Sequence, residues 1–194
     1  MWDTLDALGF TEGRVIEPGA GSGVFIGTAP RGAAMTGVEL DPLTAAITRG
    51  LYPHATIRTE SYADTRVRTE SWDAAIGNVP FADVTLLDPI HNTGRHTMHN
   101  HFIIKSLAGL HPGGVAAFIT SAHTLDSASS AAREEMHDLA DLLGAVRLPT
   151  GAHRRMAGTD SLTDVLIFRR REPGAPRTFD ADWLRTHTTR LAKP

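Results

Sequence analysis

The chain predicts an α/β fold, a doubly wound and mostly parallel sheet covered by helices on both faces. Three observations carry this expectation. Strand-like apolar runs alternate with helical stretches along most of the 194 residues, the pattern of a parallel sheet buried on both sides. A glycine-rich turn follows the first strand, and an acidic residue closes the second. A turn and acid in that order suit the ligand-binding edge of a doubly wound sheet.

A helix over 2–9 opens the chain. Arg14-Val15-Ile16-Glu17 reads as a short buried strand, and Pro18-Gly19-Ala20-Gly21-Ser22-Gly23 as the turn after it, feeding a short helix from about Val24. A second strand over 34–39 ends in Glu39. Asp41 then caps a helix over 42–51, with Pro42 at the favourable first helical position. Strands follow at 55–59 and 72–77, a helix at 97–110, a strand at 114–121 and a helix at 127–143. The last two strands, 145–149 and 163–170, have no helix between them and are expected to pair antiparallel. Glu172-Pro173-Gly174-Ala175-Pro176 marks the end of a domain spanning 1–171. The tail, 172–194, has room for a short helix from Asp180 to Leu191.

Three glycines at alternate positions, Gly19, Gly21 and Gly23, let backbone approach a ligand closely. The spacing departs from the G-x-G-x-x-G of dinucleotide binding and lacks the lysine of a phosphate-binding P-loop. Glu39, at the tip of the second strand, suits the two hydroxyls of a ribose, so a nucleoside is the expected ligand. After the strand 72–77 comes Asn78-Val79-Pro80-Phe81. The Asn78 side-chain oxygen and the Val79 carbonyl can accept both hydrogens of a planar amino group, while Phe81 offers a face for the attached ring. Turn, acid and tetrapeptide in this order point to N-methylation of an amine or amide.

On these motifs the chain resembles the S-adenosylmethionine-dependent N6-adenine DNA methyltransferases, whose cofactor loop, acid and (Asp/Asn/Ser)-Pro-Pro-(Tyr/Phe) motif occur in the same order. The nearer resemblance is to methylase modules of helicase-methylase fusion proteins of phages, plasmids and conjugative elements. Those modules carry stretches similar to Gly37-Val38-Glu39-Leu40-Asp41, Gly77-Asn78-Val79-Pro80-Phe81, His99-Asn100-His101-Phe102 and Gly144-Ala145-Val146-Arg147-Leu148-Pro149. Val79 replaces the first proline of the wider motif, and its carbonyl survives that change. The resemblance implies a Rossmann-like class I methyltransferase with a seven-stranded sheet in the order 3-2-1-4-5-7-6. It implies an S-adenosylmethionine site built from Glu17, Pro18, Gly19, Ala20, Gly21, Gly23 and Glu39. Leu40 and Tyr62 are candidates for the adenine slot, and Asp64 for the acceptor of the cofactor amino group. Asn78, Val79, Pro80 and Phe81 take the catalytic role. Phe102 and His101 are expected near the target pocket, and the irregular stretch 82–97 is expected to close over a flipped base.

Composition bounds the rest. Net charge is −3, unusual for a chain that grips duplex DNA unaided. With few residues before the first strand and a short tail, a catalytic core that borrows specificity from another domain or subunit is the expectation. Basic clusters occur at Arg147, His153, Arg154 and Arg155 and at Arg169, Arg170 and Arg171; the first is read as functional, the second as solvated strand ends. There is no cysteine, hence no disulfide or thiolate metal site. His91, His96, His99 and His101 would all have to come from one loop and helix start to hold a metal, so no metal is expected. No segment approaches the roughly 18 unbroken apolar residues of a membrane span, and a cytoplasmic location is expected. Three alternatives stay open: methylation of a protein glutamine amide, methylation of RNA adenine, and a non-catalytic binding subunit of the same fold.

Overall fold

The computed structural model describes residues 1–149, 162–177 and 181–187. Seven strands form one sheet: β1 (Gly13–Pro18), β2 (Ala33–Glu39), β3 (Thr56–Thr59), β4 (Trp72–Asn78), β5 (Leu110–Ser121), β6 (Ala140–Arg147) and β7 (Thr163–Arg170), in the order β3-β2-β1-β4-β5-β7-β6. β3, β2, β1, β4 and β5 run parallel, whereas β7 pairs antiparallel with both β5 and β6. This is the doubly wound sheet, the strand order and the antiparallel final pair expected from the sequence.

Alternating burial explains the continuous apolar runs. Val15, Ala74, Ile76 and Ala117 pack into one hydrophobic cluster, with α1 (Trp2–Ala7), α2 (Val24–Gly27) and α3 (Pro42–Leu51) on that side. Their neighbours Ile16, Ala75, Ala116 and Phe118 join the other, with α4 (Met98–Gly109) and α6 (Ala131–Leu139). Successive strand residues face opposite sides, so a central strand covered on both faces must be apolar at nearly every position. At α3 the Asp41 carboxylate accepts from the Thr44 amide at 2.7 Å, with Pro42 in the first turn, as the sequence indicated.

Three boundaries differ from the sequence reading. The helix expected over 127–143 is two elements, a turn α5 (His123–Asp126) and α6 from Ala131. Residues 140–143, helical by local composition, instead begin β6, because Ala140, Asp141 and Leu142 pair with Arg170, Arg169 and Phe168 across a bulge before Gly144. Ladder formation overrides local preference there. β5 starts at Leu110, opposite Trp72, before a register shift in β4. The described part of the 180–191 helix is a single 3-10 turn, Asp182–Leu184. It docks on α6: Trp183 meets the rings of Phe168 and His137 edge-on, and the buried Arg133 guanidinium donates to the Leu184 carbonyl at 2.9 Å.

Neither basic cluster is an open cationic patch within the described residues. Arg147 is held between Asp126 and Asp164, both at 2.8 Å. Arg169 donates to the Leu8 carbonyl, Arg170 to that of Leu139, and Arg171 is paired with Asp141. His153, Arg154 and Arg155 lie outside the described residues. Among those residues no group of histidines and carboxylates has the arrangement of a metal site, and no helix is long and apolar enough to cross a membrane.

Candidate active site

The parallel strands end together at one edge of the sheet, and the turn after β1 crosses that edge. Gly19, Gly21 and Gly23 all sit at positive φ (67°, 52° and 75°), where a β-carbon is strained. Gly23 is also hemmed in, since a β-carbon there would lie 2.8 Å from the Tyr52 ring and 2.9 Å from the Thr48 methyl. The turn is laced to its neighbours. The Ala20 amide donates to the Val38 carbonyl (2.8 Å), and the Thr48 hydroxyl to the Gly21 carbonyl (2.6 Å).

Glu39 closes β2 with each carboxylate oxygen taking one backbone amide, Gly21 at 2.8 Å on Oε2 and Asp41 at 2.8 Å on Oε1. A carboxylate has about four lone-pair positions, so this arrangement fixes the group and leaves one acceptor position on each oxygen. That matches two neighbouring hydroxyls. Glu17 is different. It is buried in β1, its Oε2 accepts from the Ile26 amide at 3.2 Å, and burial pushes its pKa up to about 8. It is therefore a neutral acid at pH 7 that ties β1 to α2.

A cleft of about 280 Å³ opens beside this turn. Seven residues singled out from sequence line it: Gly19, Glu39, Leu40, Tyr62, Asn78, Pro80 and Phe102. The glycine turn, the acid and Asn78 and Pro80 of the tetrapeptide thus meet at one place. Pro18, Ala20, Gly21, Gly23 and Glu17 shape the turn without lining the cleft. Asp64 is exposed and does not line it; Glu60 and Ser61 do. The loop after β3 turns at Ser61, whose carbonyl accepts from the Asp64 and Thr65 amides, and so directs Asp64 outward. Leu86 and Met98, which the sequence did not single out, complete the walls. Phe102, expected near the target pocket, packs 4.8 Å from the Tyr62 ring and lines the same cleft as Asn78 and Pro80.

The tetrapeptide divides two spaces. Asn78 is exposed at the end of β4, Val79 is buried with its amide donating to the Ile119 carbonyl at 3.0 Å, and Pro80 faces the cleft. Phe81 lies on the far side, lining a cavity of about 600 Å³ with Ser121, His123 and Asp126. A second cavity of about 540 Å³ shares His99 and His123 with it.

The stretch 82–97 has almost no regular structure, apart from one bridge between Thr85 and Thr97, yet it is closely hydrogen-bonded. The buried Asn92 amide donates to the Leu86 and His96 carbonyls and accepts from the His96 amide. Asp88 is buried against His101 and Lys105 of α4. His101, expected by the target pocket, is fully buried in this cluster instead. Burial opposes the charge on Asp88, but hydrogen bonds from Lys105, His91, His101 and Ile90 outweigh it and hold the carboxyl below the usual range. Burial lowers the pKa of His99 and, against the opposing pull of Asp88, that of His101.

Comparison with solved structures settles the fold. A S-adenosylmethionine-dependent methyltransferase from Methanosarcina mazei superposes with a TM-score of 0.63 over 88% of this chain and 98% of its own, at 10% identity. The chain has the class I S-adenosylmethionine-dependent methyltransferase fold. In sequence it is 30% identical over 175 residues to the defense against restriction protein B of Escherichia phage P1, covering 88% of this chain. It is 29% identical over 191 residues to the type II methyltransferase M.XamI of Xanthomonas campestris pv. amaranthicola, covering 84% of this chain. The chain spans only 8% and 36% of those two relatives. No protein-family model matches it.

Proposed function

We propose that this domain methylates the N6 amino group of adenine in DNA, using S-adenosylmethionine, as a catalytic core whose target recognition comes from another domain or subunit. The carrying observation is the position of Asn78: an exposed side-chain amide on the wall of the cleft that also holds Gly19 and Glu39, with Phe81 turned into the adjoining cavity. The names of the two relatives, one a type II methyltransferase and one a defence against restriction, support DNA as the acceptor.

The cleft fits the cofactor by its donor set. Glu39 offers acceptors for the ribose hydroxyls, Leu40, Tyr62 and Phe102 an apolar slot for the adenine, and Glu60 and Ser61 polar groups at its rim. Two carboxylates in one small cleft favour a cationic ligand. When bound, S-adenosylmethionine supplies an electrophilic methyl group on a sulfonium. The Asn78 oxygen and the Val79 carbonyl accept the two amino hydrogens of the acceptor, which fixes the nitrogen lone pair and raises its electron density. These oriented dipoles also stabilise positive charge as it develops on nitrogen, and fixed placement of the two reactants removes much of the entropic barrier. Phe81 holds the acceptor ring by stacking. The proton leaves to solvent after the transfer, so no general base is required.

Incubation with radiolabelled cofactor and separate pools of DNA, RNA and protein tests the acceptor class. Label is expected in DNA. Label only in RNA, or only on glutamine, would move the assignment to those acceptors, and cofactor binding without transfer would favour a binding subunit.

A further inference from the structure

We propose that Lys105 is a positioning residue that couples the loop 60–66, which walls the cofactor cleft, to the turn 88–91 in the stretch that follows Phe81, a role resting on the proposed function given above. Lys105 sits in α4 and is almost completely buried. Its ammonium has three hydrogens and three partners. It donates to the Ala63 carbonyl at 2.8 Å and to Asp88 Oδ2 at 2.8 Å, and it lies 5.3 Å from the centre of the Tyr62 ring. Two of these partners belong to the loop that walls the cofactor cleft. The third is the anchor of the other segment.

Asp88 has no acceptor capacity to spare. Oδ1 takes the amides of Ile90 and His91 at 3.1 and 3.0 Å, and Oδ2 takes Lys105 and the His101 ring at 3.1 Å. A shift of the Tyr62–Ala63 backbone around a bound adenine therefore cannot leave Asp88 where it is without breaking a buried, charge-assisted hydrogen bond, which is expensive in a dry site. The movement is passed to 88–91 instead. That turn belongs to the stretch of chain that directly follows Phe81. A lysine that only filled space would give the same burial but no such transmission.

Hydrogen exchange reads this directly. The test compares wild type with the paired variant Asp88→Asn/Lys105→Met, which removes both charges together and so avoids stranding either in the interior; the asparagine oxygen can still accept from Ile90 and His91. Calorimetry first establishes that S-adenosylhomocysteine binds both proteins; failure to bind wild type would overturn the cofactor reading itself, and the coupling with it. In wild type, the ligand should slow exchange in 60–66 and also in 88–95, the latter by about fivefold, the lower end of ordinary coupling between sites. In the variant, protection of 60–66 should persist while that of 88–95 disappears. Protection of 88–95 retained in the variant, or absent in wild type that binds the ligand, would overturn the role of Lys105. A variant that does not fold would be replaced by Asp88→Asn alone, which must then lower the protection of 88–95 or refute the coupling.

Discussion

Replacing Glu17 with glutamine probes the join between β1 and the helix that follows the glycine turn. The carboxyl is buried and its pKa rises from 4.5 to about 8, mainly through desolvation, with the Ile26 and Phe25 amides opposing the shift. Below pH 4.5 the group is protonated whether the chain is folded or not, and it contributes no pH dependence. As pH climbs from 4.5 towards 8 the unfolded chain releases this proton and the folded one retains it, so stability falls; above about 8 the loss levels off. The gap between the two values, at about 1.4 kcal/mol per unit, sets a ceiling of about 5 kcal/mol on the loss, a large fraction of an ordinary domain's stability. Glutamine has the shape of the neutral acid, can still accept from Ile26, and does not titrate. Urea unfolding of both proteins at pH 5 and pH 8 isolates the effect, because other titrating groups cancel in the difference. The variant should gain on wild type by about 2 to 5 kcal/mol between the two pH values. An unchanged difference would refute the account of Glu17 as a buried neutral acid.

Two further substitutions address the turn and the acid. Glu39→Ala should weaken S-adenosylhomocysteine binding by about 1 to 3 kcal/mol in calorimetry, since the ligand loses acceptors and the Gly21 and Asp41 amides lose theirs; equal affinity would remove Glu39 from the site. Gly23→Ala should lower stability by about 1 to 3 kcal/mol in thermal unfolding, because of its φ of 75° and the Tyr52 and Thr48 contacts. By contrast Gly50→Ala in α3, where a β-carbon meets nothing within 4 Å, should be neutral or stabilising by up to about 1 kcal/mol.

What the sequence revealed, and what it hid, follows from how local each signal is. The glycine turn, Glu39 and Asn78 to Phe81 are short stretches whose chemistry depends on their own residues and on the strands that immediately precede them. Their convergence required only that β1, β2 and β4 be parallel neighbours. The buried cluster of Asp88, His101 and Lys105 had no such signal. Its members come from a loop and a helix, and in sequence Lys105 is merely a lone cation within Phe102-Ile103-Ile104-Lys105-Ser106-Leu107. Asp64 and His101 lie elsewhere than expected for a related reason. Which way a side chain leaves a loop or an almost wholly buried helix is fixed by packing, not by spacing. The start of β6 was hidden because Ala140 to Leu143 is helix-favouring by composition and becomes a strand only through its partner β7.

Methyl transfer by the Asn78→Ala variant tests the central claim most directly. In the proposed reaction the side chain acts on the acceptor, and it lies beside, not within, the glycine turn. The variant should therefore bind S-adenosylhomocysteine like wild type while losing nearly all transfer. Mass spectrometry of digested DNA should find N6-methyladenine made by wild type, supplied with its recognition partner where one is needed, and none made by the variant. Undiminished N6-methyladenine from Asn78→Ala would contradict the assignment of Asn78, and transfer by wild type to RNA or glutamine but never to DNA would contradict the proposed reaction.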